Sequence, residues 1–465
     1  MAYGPHTAGE RGRMLAALGI ASVDALFEAI PEGVRAGGLD LPPALTELEL
    51  MEHLRELASR NRTDLASFLG AGVYRHHAPP VVDQLLLRGE FYTAYTPYQP
   101  EISQGTLQTI YECQSLLAEL TGMDVVSASH YDGAAATAEA ALMTCRATKR
   151  EHVLVSRSVH PHYRETFETY FAGANLTFAE IPLLVEGPAA GTTDLAALEA
   201  MLADPARPVA GVVAAQPSVL GLLEPMAEIG RLAHVAGALF VAVVEPVSLA
   251  VLAPPADYDA DIAAGDGQPL GMAPSYGGPY LGIVACRDSL VRQIPGRLIG
   301  MTADLEGKRA YVMTMRAREQ DIRRERAASN ICTNQALCAL AASIWLAALG
   351  PAGLHDVAAT GAARAAELEA ALAAAGAPRL HPGGYLNEFA VRVPDAVVVH
   401  RRLLARGILA GIPLAELEPG DPALAEGLLV CATEVTTPAE IERFAAALAA
   451  ELTHAPAGVP VEAVR

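Results

Sequence analysis

Between residues 70 and 282 the chain alternates short runs that are apolar on every position with stretches of helical spacing. The runs read VLVS at 153–156, VAGVVAAQ at 209–216, LFVAVVE at 239–245 and GIVAC at 282–286. A strand with no polar face is covered on both sides, so this pattern predicts a mostly parallel sheet with helices above and below it. Ahead of it, residues 10–61 alternate apolar and charged positions at helical spacing, with a Pro- and Gly-rich break at 31–43. That predicts an N-terminal arm of two or three helices over residues 1–65, and its separateness suggests that it wraps a partner.

Past the large α/β domain, assigned to residues 66–327, an Ala- and Leu-rich helix runs through Trp345 to Gly350 and a second covers 363–375. Short strands follow at 388–392 and 428–431. A closing helix over 438–450 begins with Thr436, Thr437 and Glu440, a capping arrangement. Residues 328–453 thus read as a smaller α+β domain, and 454–465 as a tail.

Composition removes several classes of function. Apolar residues make up 52 % of the 465, enough for a large core, and the formal charge of −20 repels nucleic acid and an anionic membrane surface alike. The longest clean apolar run, 235–244, is too short to span a bilayer. The first residues carry no basic stretch followed by an apolar one, so the expectation is a soluble, cytoplasmic protein. Six scattered cysteines, none in a C-x-x-C pair, are read as reduced core thiols rather than as disulfides or metal ligands.

In an open α/β sheet ligands sit beyond the carboxyl ends of the strands, which singles out four segments. SHYDGAAATAE at 129–139 is a turn of small residues that opens a helix, either a phosphate cradle of free N–H groups or an ordinary Asp-Gly turn capped by Asp132. Glu245 ends the most apolar strand. It could pair with a pyridine nitrogen, or it could mark where the sheet meets water. The glycine-rich stretch 261–282 holds Gly265, Asp266, Gly267 and Gln268 where an aminotransferase-like enzyme carries its Schiff-base lysine. The whole chain has two lysines, Lys149 and Lys308, and neither falls between those positions. The fourth segment, FYTAYTPYQPEISQG at 91–105, is held extended by two prolines. It suits a pocket wall built from Tyr95, Thr96, Tyr98, Glu101, Ser103 and Gln104, or a loop packed on its own rings. An arginine-rich stretch, 316–326, reads mainly as a solvated or interdomain helix with i,i+4 pairs, leaving Arg316 and Arg318 as candidates for a carboxylate or a partner.

Four motifs together, YTPYQPEISQG (95–105), YDGAAATAEAA (131–141), GDGQPLG (265–271) and REQDIRRERAASNICT (318–333), resemble the glycine cleavage system P-protein family, more narrowly the alpha chain of its two-chain form. The resemblance covers residues 70–333 in order. It implies an aminotransferase-like fold (pyridoxal phosphate fold type I) and an α2β2 assembly in which only the beta chain holds pyridoxal phosphate covalently, in agreement with the lysine count. It also implies the reaction: glycine loses CO2 and its aminomethyl group passes to the lipoyl arm of the H-protein. For this chain it implies no catalytic residue of its own, no metal, a pocket wall at the subunit boundary from residues 95–104, and a vestigial cofactor site near Asp132, Glu245 and Gly265.

Overall fold

The computed structural model describes residues 5–332 and 334–453. The tail 454–465 and Thr333, which closes the arginine motif, lie outside the described residues. The chain parts into two compact units between Thr63 and Asp64.

The first unit carries helices at Ala8–Leu18 and Glu47–Ser59, each opened by a reciprocal capping box, Thr7 with Glu10 and Thr46 with Glu49. Between them the chain makes only two 3-10 turns, at Asp24–Phe27 and Glu32–Val34. Neither helix has a buried residue. Large apolar side chains such as Met14, Phe27, Leu48, Met51 and Leu54 stay exposed.

The second unit is built on a seven-stranded sheet of β1 (Val125–Val126), β2 (His152–Ser156), β3 (Thr177–Ile181), β4 (Val209–Gln216), β5 (Leu239–Val244), β6 (Ile262–Asp266) and β7 (Gly282–Cys286). Their order across the sheet is β1-β7-β6-β5-β4-β2-β3. Strands β2 to β6 run parallel, while β7 runs antiparallel to β6 and β1 antiparallel to β7. The period of two divides each strand between two cores: Phe240, Ala242 and Val244 of β5 face one, Val241 and Val243 the other. Helix α1 (Gln104–Thr121) covers the first face; helices α2 (Gly133–Thr148) and α3 (Pro161–Ala174) cover the second.

Four strands match the apolar runs of the sequence. The pattern did not expose β1, β3, β6 or a hairpin at Leu298–Ala303 and Arg309–Thr314. β6 lay hidden inside what reads as one long glycine-rich turn, because Ala263, Ala264 and Gly265 carry too little apolar bulk to register. Gly265 has a physical reason: a Cβ there would lie 2.3 Å from the carbonyl oxygen of Val244 on the neighbouring strand.

Two helices follow residue 328, as expected, and meet at a kink where Gly350 takes a non-helical φ of 62° just before Pro351, the second starting well before residue 363; together they span α4 (Ala336–Ala374). Among the described residues it is the one helix long and apolar enough to cross a membrane, but Trp345 on it is wholly buried in the sheet core. Its later half, with Ala365, Leu368 and Leu372, packs into a second core with the antiparallel strands Glu388–Arg392, Ile412–Pro413 and Gly427–Cys431. α4 therefore contributes to both cores, Trp345, Leu354 and Ala358 to the first and Ala365, Leu368 and Leu372 to the second. Residues 66–68 also belong to this second core, where Ala66 pairs with Ile408 and Phe68 stacks on Phe444. The closing helix, Pro438–Thr453, opens with the capping box of Thr437 and Glu440.

Candidate functional site

At the carboxyl ends of β4, β5 and β6 lies a cavity of about 70 Å³, lined among others by Tyr74, His160, Tyr163, Ser218, Glu245 and Asp266. It has room for a few waters at ~10–15 Å³ each. Asp132 caps α2, its Oδ1 accepting from the Ala135 amide at 2.7 Å. The next free donor of that helix end, the Gly133 amide, is taken by Asp266 Oδ2 at 2.8 Å, and Asp266 Oδ1 accepts from the Gln268 amide at 2.9 Å. Burial raises the Asp266 carboxyl to about 6, against the pull of those amides. Tyr163 closes the same end: a Cβ on Gly133 would lie 2.0 Å from its Oη.

Glu245 stands just past β5 with both carboxylate oxygens turned back on the chain, accepting from the Val247 amide at 2.9 Å and the Ser248 amide at 2.6 Å. Burial raises its pKa. Gln268, wholly buried, binds both the amide and the carbonyl of Tyr74 at 2.9 Å and the Met272 carbonyl at 2.6 Å. His160, pushed down to about 4 by burial, and Tyr163 complete a cluster that sequence reading missed. Both sit at the start of α3, beyond the end of β2, where the strand-end rule points but residue type alone gives no signal.

The aromatic segment lies elsewhere, on an open face. Tyr95 is 79 % exposed, Tyr98 is half-exposed and Glu101 is exposed. Tyr95 and Thr96, with Phe91, Asn334, Gln335 and Leu337, line a cleft of about 210 Å³. Ser103, with Phe91, Ile102, Leu340 and Ile344, lines an adjoining groove of about 820 Å³. Gln104 does not join the wall. Its amide pairs with both backbone groups of Tyr311, at 2.8 and 2.9 Å, and so ties α1 to the hairpin.

The arginines divide in the same way. The expected helix at 316–326 is three short turns, Arg316–Arg318, Gln320–Arg323 and Arg324–Arg326, with positive φ at Met315 just before it and at Arg324 within it. Arg318 donates through its two terminal nitrogens to the carbonyls of Ile294 and Gly296. Arg316 pairs with Asp321 at 2.6 Å and lies 5.6 Å from the Tyr98 ring centroid. Arg297, which no motif singled out, lies 5.5 Å from the same centroid and donates to Tyr98 Oη at 3.2 Å and Thr96 Oγ1 at 3.5 Å. Of the six cysteines, Cys332 is exposed and therefore not a core thiol; Cys113, Cys145, Cys286 and Cys431 are buried. Among the described residues no group of His, Cys, Asp or Glu could hold a metal ion.

Residues 1–448 match the model of the glycine cleavage system P-protein family. The chain is 51 % identical over 451 residues to a probable glycine dehydrogenase (decarboxylating) subunit 1 of Moorella thermoacetica, covering 96 % of this chain and 99 % of that one. It is 46 % identical to the protein of the same name from Carboxydothermus hydrogenoformans, covering 96 % and 98 %. A crystal structure of glycine decarboxylase (P-protein) in inhibitor-bound form superposes with a TM-score of 0.88 at 42 % identity, over 97 % of this chain and all of that one. The chain belongs to the glycine cleavage system P-protein family.

Its fold is that of the pyridoxal phosphate enzymes of fold type I; an alanine–glyoxylate aminotransferase of Nostoc shares it with a TM-score of 0.56 at 17 % identity, over 89 % of this chain and 97 % of that one. The residues of this family member do not fit that cofactor. Lys149 is exposed at the far end of α2, a 16-residue helix about 24 Å long. Lys308 sits in the hairpin turn, paired with Glu306 at 2.6 Å. A phosphate at the start of α2 would meet Asp266 and Tyr163, and the cavity is far below the ~300–1,000 Å³ usual for a ligand of that size.

Proposed function

We propose that this chain is the alpha subunit of a two-chain glycine decarboxylase, working with a beta subunit in an α2β2 assembly. Together they decarboxylate glycine, release CO2 and pass the aminomethyl group to the lipoyl arm of the H-protein. Pyridoxal phosphate, held by a lysine of the beta subunit, supplies the electron sink for loss of CO2. The observation that carries this reading is a contrast between two sites of this chain. At the strand ends the chain's own Asp132 and Asp266 take the free amides at the start of α2, whereas Tyr95 and Tyr98 are left exposed with no occupant from this chain. The N-terminal unit supports it as well, because two amphipathic helices without a buried residue gain their stability on a partner.

In this reading residues 95–103 form one wall of the beta subunit's pocket. The phenol rings exclude water and orient substrate, and Arg297 and Arg316 both lie over the Tyr98 ring and help to hold it. Replacing Arg297, which is 8 % exposed, by Met keeps the bulk of the side chain and removes the fork. The assembled Arg297→Met enzyme is expected to lose about tenfold in turnover, with the drop in kcat rather than in cofactor content. Equal loss of bound cofactor would mean that the residue serves assembly instead.

The decisive test is an absorbance titration with pyridoxal phosphate, of this chain alone and then with its beta subunit, followed by glycine–bicarbonate exchange. A borohydride-reducible band and exchange are expected only in the mixture. A reducible band at one defined site of this chain alone would overturn the assignment.

A further inference from the structure

The internal cavity differs from a merely abandoned site. Loss of a lysine leaves a cofactor pocket empty; here the start of α2 is occupied. Three backbone amides that converge there are satisfied by two carboxylates of the same chain, Ala135 by Asp132 and both Gly133 and Gln268 by Asp266. The first is an ordinary cap contributed by the residue next to the helix. The second comes from the end of β6, 133 residues away in sequence, and is drawn onto the helix axis end where amide dipoles favour an anion.

We propose that Asp266 is a built-in anion that takes the place of a phosphate monoester at the start of α2 and thereby closes this chain to phosphorylated ligands. Three features support the substitution. The carboxylate reaches the helix through a β6 that can lie close to β5 only because residue 265 is glycine. Gln268, which follows it, is tied on both sides to the backbone of Tyr74, so the loop that carries Asp266 cannot swing out to admit a larger anion. Tyr163 covers the remaining approach. The chain is therefore complete without cofactor, and the proposal concerns this chain alone, so it stands or falls independently of the partner subunit.

The test uses the full chain and inorganic phosphate as the probe. Asp266→Ala and Asp266→Asn are compared with wild type by phosphate-dependent thermal melting at constant ionic strength in chloride, and by phosphorus NMR line broadening. Both variants are expected to bind phosphate about tenfold or more tightly than wild type, the factor set by lifting one like charge from a helix start, and their melting temperatures should rise with phosphate until saturation. The Asn variant retains the side-chain volume and provides the reading if the Ala variant does not fold. A folded variant with no gain over wild type overturns the proposal, and so does a wild-type chain that already binds phosphate as tightly as the variants.

Discussion

Tyr95→Ala, assembled with the beta subunit, is expected to lose about 100-fold in glycine decarboxylation, with cofactor loading and the stability of this chain nearly unchanged. Tyr95 is 79 % exposed in a cleft of its own subunit, so truncating it removes little packing from the chain that carries it. A ring that lines a pocket belonging to another subunit acts on the geometry of the bound substrate, and small misplacement of reacting atoms is costly. Gln104→Ala serves as the contrast. Its amide joins α1 to the hairpin strand at Tyr311, so its loss should lower the melting temperature before it touches turnover. Unchanged turnover in Tyr95→Ala, measured at saturating glycine and H-protein, would sink the pocket-wall assignment.

Much of this arrangement is legible in the sequence because it depends on backbone and bulk. Strands apolar on both faces announce themselves, and β4 and β7 begin and end where the hydrophobic pattern places them. β3 and β6 do not, since TFAEI carries two polar residues at the edge of the sheet and IAAGD has almost no side chain. The absence of a lysine near Gly265 is a statement about composition and needs no structure. What fills the site instead is a matter of long-range geometry. Asp266 is one carboxylate in a glycine-rich run until the fold brings it to Gly133, and Gln268 is a surface-type residue until it is found wholly buried against Tyr74. The arginines show the same limit. Arg316 and Arg318 share an arginine-rich stretch, yet one pairs with Asp321 beside the Tyr98 ring and the other is bound to the carbonyls of Ile294 and Gly296, while Arg297, outside that stretch, makes the hydrogen bond to Tyr98.

Glu388 carries a large expected dependence of stability on pH for a single side chain. It is 2 % exposed on the first strand of the second core, where Oε1 accepts from the Ala71 amide at 2.6 Å and Oε2 from Tyr74 Oη at 2.9 Å. Burial first, with the like charge of Glu245 adding to it, raises its pKa from 4.5 to about 7 in spite of those bonds. A carboxyl whose folded pKa lies above its unfolded value stabilises fully below the unfolded value, and that contribution is lost as pH rises through the folded one. Gln at this position can keep the bond from Ala71 and donate to Tyr74 Oη without ever ionising. Relative to Glu388→Gln, the wild-type chain should therefore be at its best near pH 4.5 and forfeit on the order of 3 kcal/mol by pH 8. Paired thermal melts at pH 5 and pH 8 measure this directly. The gap between variant and wild type is expected to move by roughly 5 °C in favour of the variant at the higher pH. Buried His130 and His160, whose pKa values are pushed down to about 3 and about 4, shift the stability of both proteins alike as pH falls below 6.5 and cancel in the comparison. Parallel pH profiles for the two proteins would show that Glu388 stays ionised in the fold, with the Ala71 and Tyr74 bonds outweighing its burial.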